Sequence, residues 1–109
     1  MPRYLLLAIN GPTKGPGDEE TYNRWYDEVH LPDLLGIPGV VSARHYKIVG
    51  GNIPEDAKRP YVAAYEIETD DLPAVMDMMA TQIRPFTPTF DKSCSFHITA
   101  VEVDPGATG

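Results

Sequence analysis

Two short stretches, Leu5 to Ile9 and Tyr61 to Tyr65, are apolar at every successive position. A strand sends alternate side chains to opposite faces, so an unbroken apolar run of this kind must be covered on both sides. Each run is long enough for a strand and too short for a helix. Helices can cover one face. This chain supplies no second cover, and a symmetric partner is the simplest source of one.

The rest of the pattern is consistent with that demand. Asn10 to Gly17 holds two Pro and three Gly and reads as a loop. Asp18 is expected to cap the helix that follows, with Glu19 and Glu20 at the positive end of its dipole. Tyr22, Trp25, Tyr26, Val29 and His30 then recur at helical spacing. Pro32 is expected to end or kink this helix, because the residue before a proline is pushed out of the α region. Asp33-Leu34-Leu35 adds at most a turn before Gly36, and Pro38-Gly39 makes a turn.

Residues 40–49 read as a second strand, with Val40, Ser42, Arg44 and Tyr46 on one face and Val41, Ala43, His45 and Lys47 on the other. Residues 50–60 form a long polar connection, and 61–67 a third strand. Thr69 is placed to cap a second helix whose buried stripe is Leu72, Val75, Met76 and Met79. Residues 84–92 are irregular, with two Pro and two Phe. A fourth strand is expected over 93–103, followed by a loose tail over 104–109. The order is β-α-β-β-α-β, an α+β arrangement of the ferredoxin-like kind: two helices on one face of a four-stranded antiparallel sheet. At 109 residues the chain fits a single domain, with its core over 3–103.

Charge narrows the partners. Net charge is −7 and the nine basic residues are scattered, which argues against nucleic acid and against a membrane surface. No apolar run approaches the roughly 20 residues that cross a bilayer. The opening Met1 to Ile9 lacks a cleavage-site pattern and reads as a strand rather than a signal peptide. A single Cys94 excludes an internal disulfide and suits a reducing cytoplasm. The three His are dispersed, so no metal site is expected, and no nucleotide or flavin motif points to a cofactor.

The segment Tyr22 to Asp33 carries most of the chemistry. Tyr22, Tyr26 and His30 lie four apart along one helical stripe, and Asp27 or Asp33 can reach the imidazole to orient it. A His in that setting can serve as general base or acid. Tyr26 and Tyr22 would then hydrogen-bond a substrate oxygen. Other roles are open at the same positions. Trp25 and Val29 suit the core face of an amphipathic helix, and His30 suits a C-terminal cap. His97 on the last strand is either a pocket residue or a half-buried one bonded to the backbone. Arg44 can bind a substrate carboxylate or enolate, or join a surface ion pair. If Tyr46 points into the pocket, His45 points to the dimer side or to solvent.

Trp25-Tyr26-Asp27-Glu28-Val29-His30-Leu31-Pro32, then Ile37-Pro38-Gly39-Val40 and Ala43-Arg44-His45-Tyr46, resembles the EthD-type signature. The likeness of element order runs over about residues 4–103, and the specific motif over 22–46. The resemblance implies a dimeric α+β barrel, hence a homodimer. It also implies a small, mostly cofactor-independent enzyme: an isomerase, cyclase, lyase or monooxygenase on aromatic, lactone or polyketide-like compounds. Carried onto this chain, it makes His30 a cleft residue. The expected site therefore has His30, Tyr26 and Asp33 as the catalytic group. Tyr22, Trp25, Asp27, Arg44, Tyr46, His97 and Phe86 surround a small-molecule substrate. The leading expectation is proton transfer on a carbonyl compound without a cofactor. The alternatives are a cofactor-free or haem-linked monooxygenase and a non-catalytic ligand-binding dimer.

Overall fold

The computed structural model describes residues 1–103; the expected tail over 104–109 lies outside them. Four strands, β1 (Arg3–Asn10), β2 (Val40–Lys47), β3 (Tyr61–Glu68) and β4 (Phe96–Val101), form one antiparallel sheet in the order β2-β3-β1-β4. The two apolar runs are β1 and β3, side by side at the centre, where both faces need covering. The register pairs Leu6 with Tyr65, Ala8 with Ala63 and Asn10 with Tyr61 on the face that meets the helices. Leu6, Tyr65, Ile67 and Ala63 are buried there against Tyr22, Tyr26 and Val75. The expected ferredoxin-like α+β fold is the fold observed. No helix among the described residues is long and apolar enough to cross a membrane.

The first helical stretch departs from its expected form. It consists of α1 (Asp18–Trp25), a π-helical turn (Tyr26–His30) and α2 (Leu31–Leu35). Pro32 does not end the helix. The π turn widens it so that the Leu31 N–H reaches back five residues to the Tyr26 carbonyl. Pro32 then falls in the first turn of α2, where its missing N–H costs little. Asp18 stands one residue inside the helix and braces the preceding loop. Its carboxylate accepts the Gly15 N–H at 2.8 Å and the Thr13 hydroxyl at 2.6 Å. Gly17, with φ 77°, takes the left-handed conformation that makes the entry turn.

Two further boundaries move for local reasons, and one strand is bulged. Asp71 caps α3 (Leu72–Thr81), accepting the Ala74 N–H at 3.2 Å, while Thr69 instead accepts the Asp71 N–H at 2.9 Å. The fourth strand starts later than expected. Asp91 folds residues Lys92–Cys94 into a short turn through Ser93 N and Oγ, at 3.1 and 2.6 Å. A bulge at Val41 sets Val40 on the same face as Ala43 and His45, breaking the simple alternation.

The bulge also settles which face is which. His45 pairs with Ala63, so it faces the helices and not a dimer surface or solvent. Arg44 and Tyr46 face the other way, onto the open side of the sheet. Cross-strand neighbours Leu5–Ala100, Leu7–Ile98 and Ile9–Phe96 share that open side. The helices stop short of β4, all six of whose residues are exposed.

Candidate active site

Where the helical layer stops short of β4, a cleft of about 400 Å³ opens. β1 supplies Ala8 and Asn10, and the π turn supplies Tyr26 and His30. The segment before β4 supplies Phe86, Phe90, Lys92 and Ser95, and β4 supplies Phe96 and His97. The floor is aromatic, and the polar atoms are few and come from separate elements, the usual make-up of a small-molecule site.

His30 owes its surroundings to the π turn. In an α-helix, residues five apart point about 140° away from one another. The wider turn brings Trp25 under His30 instead, with ring centroids 4.4 Å apart and planes at 20°. Tyr26 meets the imidazole edge-on at 5.2 Å and Phe86 at 5.0 Å. The residue is 6% exposed, and its Nδ1 is sealed with no hydrogen-bond partner among the described residues. Burial in this aromatic nest pushes the imidazole from its ordinary 6.5 down to about 4, a fall that the Asp33 charge opposes and His45 reinforces. His30 is therefore neutral near pH 7.

No carboxylate among the described residues hydrogen-bonds that imidazole, contrary to the expectation for Asp27 or Asp33. Asp33 is held by Arg84 instead, through Nη2 at 2.8 Å, Nε at 3.1 Å and the backbone N–H at 2.9 Å. These bonds keep its carboxyl below the usual range. Their effect is to tie the segment carrying Phe86 to α2. The Trp25 indole N–H strengthens the tie by donating to the Pro85 carbonyl at 3.3 Å. Trp25 thus packs and anchors rather than lining the cleft, and Asp27 is exposed.

A chain of polar contacts lies behind the cleft. The Tyr22 hydroxyl donates to Asn10 Oδ1, and Asn10 Nδ2 donates to the Tyr26 oxygen at 2.9 Å. His45 Nε2 lies 3.2 Å from the Tyr22 oxygen, and its ring stacks on Tyr26 at 3.8 Å and 12°. Tyr22 is fully buried and does not reach the cleft wall. Burial also lowers the His45 imidazole to about 4, and the Asp27 charge opposes that fall.

The structure therefore brings together His30, Tyr26, Phe86 and His97, with Tyr22 behind Tyr26. It separates Arg44 and Tyr46, which line a hollow of about 640 Å³ on the open sheet face with Arg3, Ser42 and Glu66. Asn10, Phe90 and His45 were not expected. Asn10 had a legible signal: a polar side chain that alternation places on the same face as Leu6 and Ala8. No group of three or more side chains suited to a metal gathers among the described residues.

No family model matches the sequence, and no curated protein does either. Two solved structures match in shape. One is a DABB family protein with a ferredoxin-like fold from Mesorhizobium loti MAFF303099, with a TM-score of 0.58 and 13% identity over 95% of this chain and 100% of that one. The other is an EthD family protein from Bacillus halodurans C-125, with a TM-score of 0.51 and 18% identity over 94% of this chain and 100% of that one. At such identities the likeness bears on architecture: this chain has the ferredoxin-like fold that an EthD family protein and a DABB family protein also adopt.

Proposed function

We propose that the protein is a cofactor-independent enzyme that moves a proton on an aromatic, lactone or polyketide-like carbonyl compound. The observation that carries this reading is His30, a neutral, nearly buried imidazole set in the wall of an aromatic cleft beside Tyr26. In the proposed step a C–H bond beside the carbonyl breaks. Its proton goes to a His30 ring nitrogen and its electron pair becomes the enolate. Tyr26 hydrogen-bonds the oxygen where charge develops. Return of the proton to another carbon is isomerisation; attack of the enolate on a second carbonyl is ring closure, and the reverse is C–C cleavage.

The depressed imidazole narrows the substrate. Each unit by which the carbon acid exceeds the base in pKa adds about 1.4 kcal/mol to the transfer. An imidazole weakened by burial therefore favours the more acidic carbon acids, such as C–H groups flanked by two carbonyls. The ion pair formed with the enolate offsets part of the cost. A second reading, ligand binding without turnover, is favoured by the lack, among the described residues, of an orienting carboxylate on His30. In the same proposal the open sheet face pairs with that of a second copy.

The deciding experiment is solvent deuterium exchange. Aryl ketones, 1,3-dicarbonyls and unsaturated lactones are incubated with the protein in D2O and followed by proton NMR. The enzyme reading expects exchange above the buffer rate for at least one class. Binding of these compounds with exchange at the buffer rate throughout would leave the binding reading in its place.

A further inference from the structure

The hydrogen bonds in the chain behind the cleft fix where its protons lie. A tyrosine hydroxyl has one proton. That of Tyr22 goes to Asn10 Oδ1, so the Tyr22 oxygen can only accept from His45, and His45 must carry its proton on Nε2. Asn10 turns its Nδ2–H to Tyr26, whose oxygen accepts it. Tyr26 thus takes a donor and keeps its own proton unspent. Tyr65, buried beside the Tyr26 oxygen with no well-formed bond of its own, is a second group able to donate to it.

We propose that the Tyr26 O–H is the donor the cleft presents to an anionic or developing-anionic oxygen of the ligand, and that Asn10, Tyr22 and His45 are positioning residues that fix this polarity. The inference rests on the proton-transfer reading for its catalytic meaning and adds the residues that hold Tyr26 in its donor role. Hydrogen bonds aligned head to tail reinforce one another, so a donor at the end of the chain is stronger than an isolated phenol. Burial raises the phenols of Tyr22, Tyr26 and Tyr65 alike. Tyr26 is raised least of these, to about 12, because the Asn10 Nδ2–H it accepts favours the phenolate and offsets part of the effect of burial. The chain also specifies the ligand class: a planar compound with one oxygen bearing negative charge, seated against Phe86 and Phe90.

The test uses the whole protein and 4-nitrophenolate as probe. Nitrogen-15 NMR of the wild type at neutral pH should show His45 in the Nε2–H form. In Asn10→Leu the freed Tyr22 proton should turn to His45 and convert it to the Nδ1–H form, a change that a merely structural Asn10 would not produce. Tyr26→Phe should bind 4-nitrophenolate on the order of tenfold more weakly than wild type. His45 in the Nδ1–H form in the wild type would overturn the proposal, and that measurement needs no variant to fold. Equal affinity of Tyr26→Phe, or no binding by the wild type, would overturn it as well. Phenolate binding with the expected tautomer but no deuterium exchange on any ketone would remove the proton-transfer reading and leave this one standing.

Discussion

Taking an imidazole out of water favours its neutral form, and at His30 nothing on Nδ1 offsets the loss of solvent. An apolar side chain of similar size should therefore fit the nest at least as well. His30→Leu is expected to keep or raise the melting temperature while deuterium exchange falls on the order of a hundredfold or more. A lower melting temperature with near-normal exchange would mark His30 as structural. The same burial gives stability a pH dependence. His30 and His45 titrate near 4 when folded and near their ordinary 6.5 when unfolded. Between those values the unfolded chain binds more protons, so the contribution is complete above about 6.5 and is lost as pH falls towards 4. For His30 it amounts to roughly 3 kcal/mol at most. Urea midpoints at pH 7 and pH 5 should differ, and by less in His30→Leu. At this scale the sequence made His30 and Tyr26 legible through their spacing of four. The placing of His45 depends on which way Tyr46 points, because alternation assigns a strand's side chains to two faces without saying which one meets the helices.

Elements explain why those side chains converge. The strands, the two helical stripes and the turn at Pro38-Gly39 were readable because each repeats a period or holds a residue of restricted backbone. The π turn and the bulge at Val41 were not. Each inserts one residue into a regular element, and neither breaks the apolar pattern on either side of it. The link from α2 to the segment carrying Phe86 was equally hidden, since Asp33 and Arg84 are 51 residues apart in the chain. Asp33 is only 16% exposed at its side chain, and its bond to Arg84 is multiple, so the pair should act as a clamp. Asp33→Ala is expected to raise KM severalfold by freeing the Phe86 wall, with kcat changed less. An unchanged KM with a collapsed kcat would instead return Asp33 to the role of orienting His30.

For the whole molecule, the sheet divides two duties. The cleft lies on the helical side, and the apolar rows of β1 and β4 lie on the other. Ile98, 53% exposed, is at the centre of those rows beside Leu7. Light scattering at micromolar concentration should report a dimer, with more than about 1,200 Å² buried in total. Ile98→Lys should give a monomer that keeps its helical signature. A wild-type monomer would refute sheet-to-sheet pairing.

β4 contributes His97 to the cleft, yet among the described residues it hydrogen-bonds to β1 alone and has no helix over it. A second copy laid on the open face would stiffen that strand from behind without adding a residue to the cleft. Specific activity should then depend on how concentrated the protein is. On dilution below the dimer's dissociation constant each chain keeps every residue it needs but loses the backing of one wall, so turnover per chain falls while the far-ultraviolet spectrum stays the same.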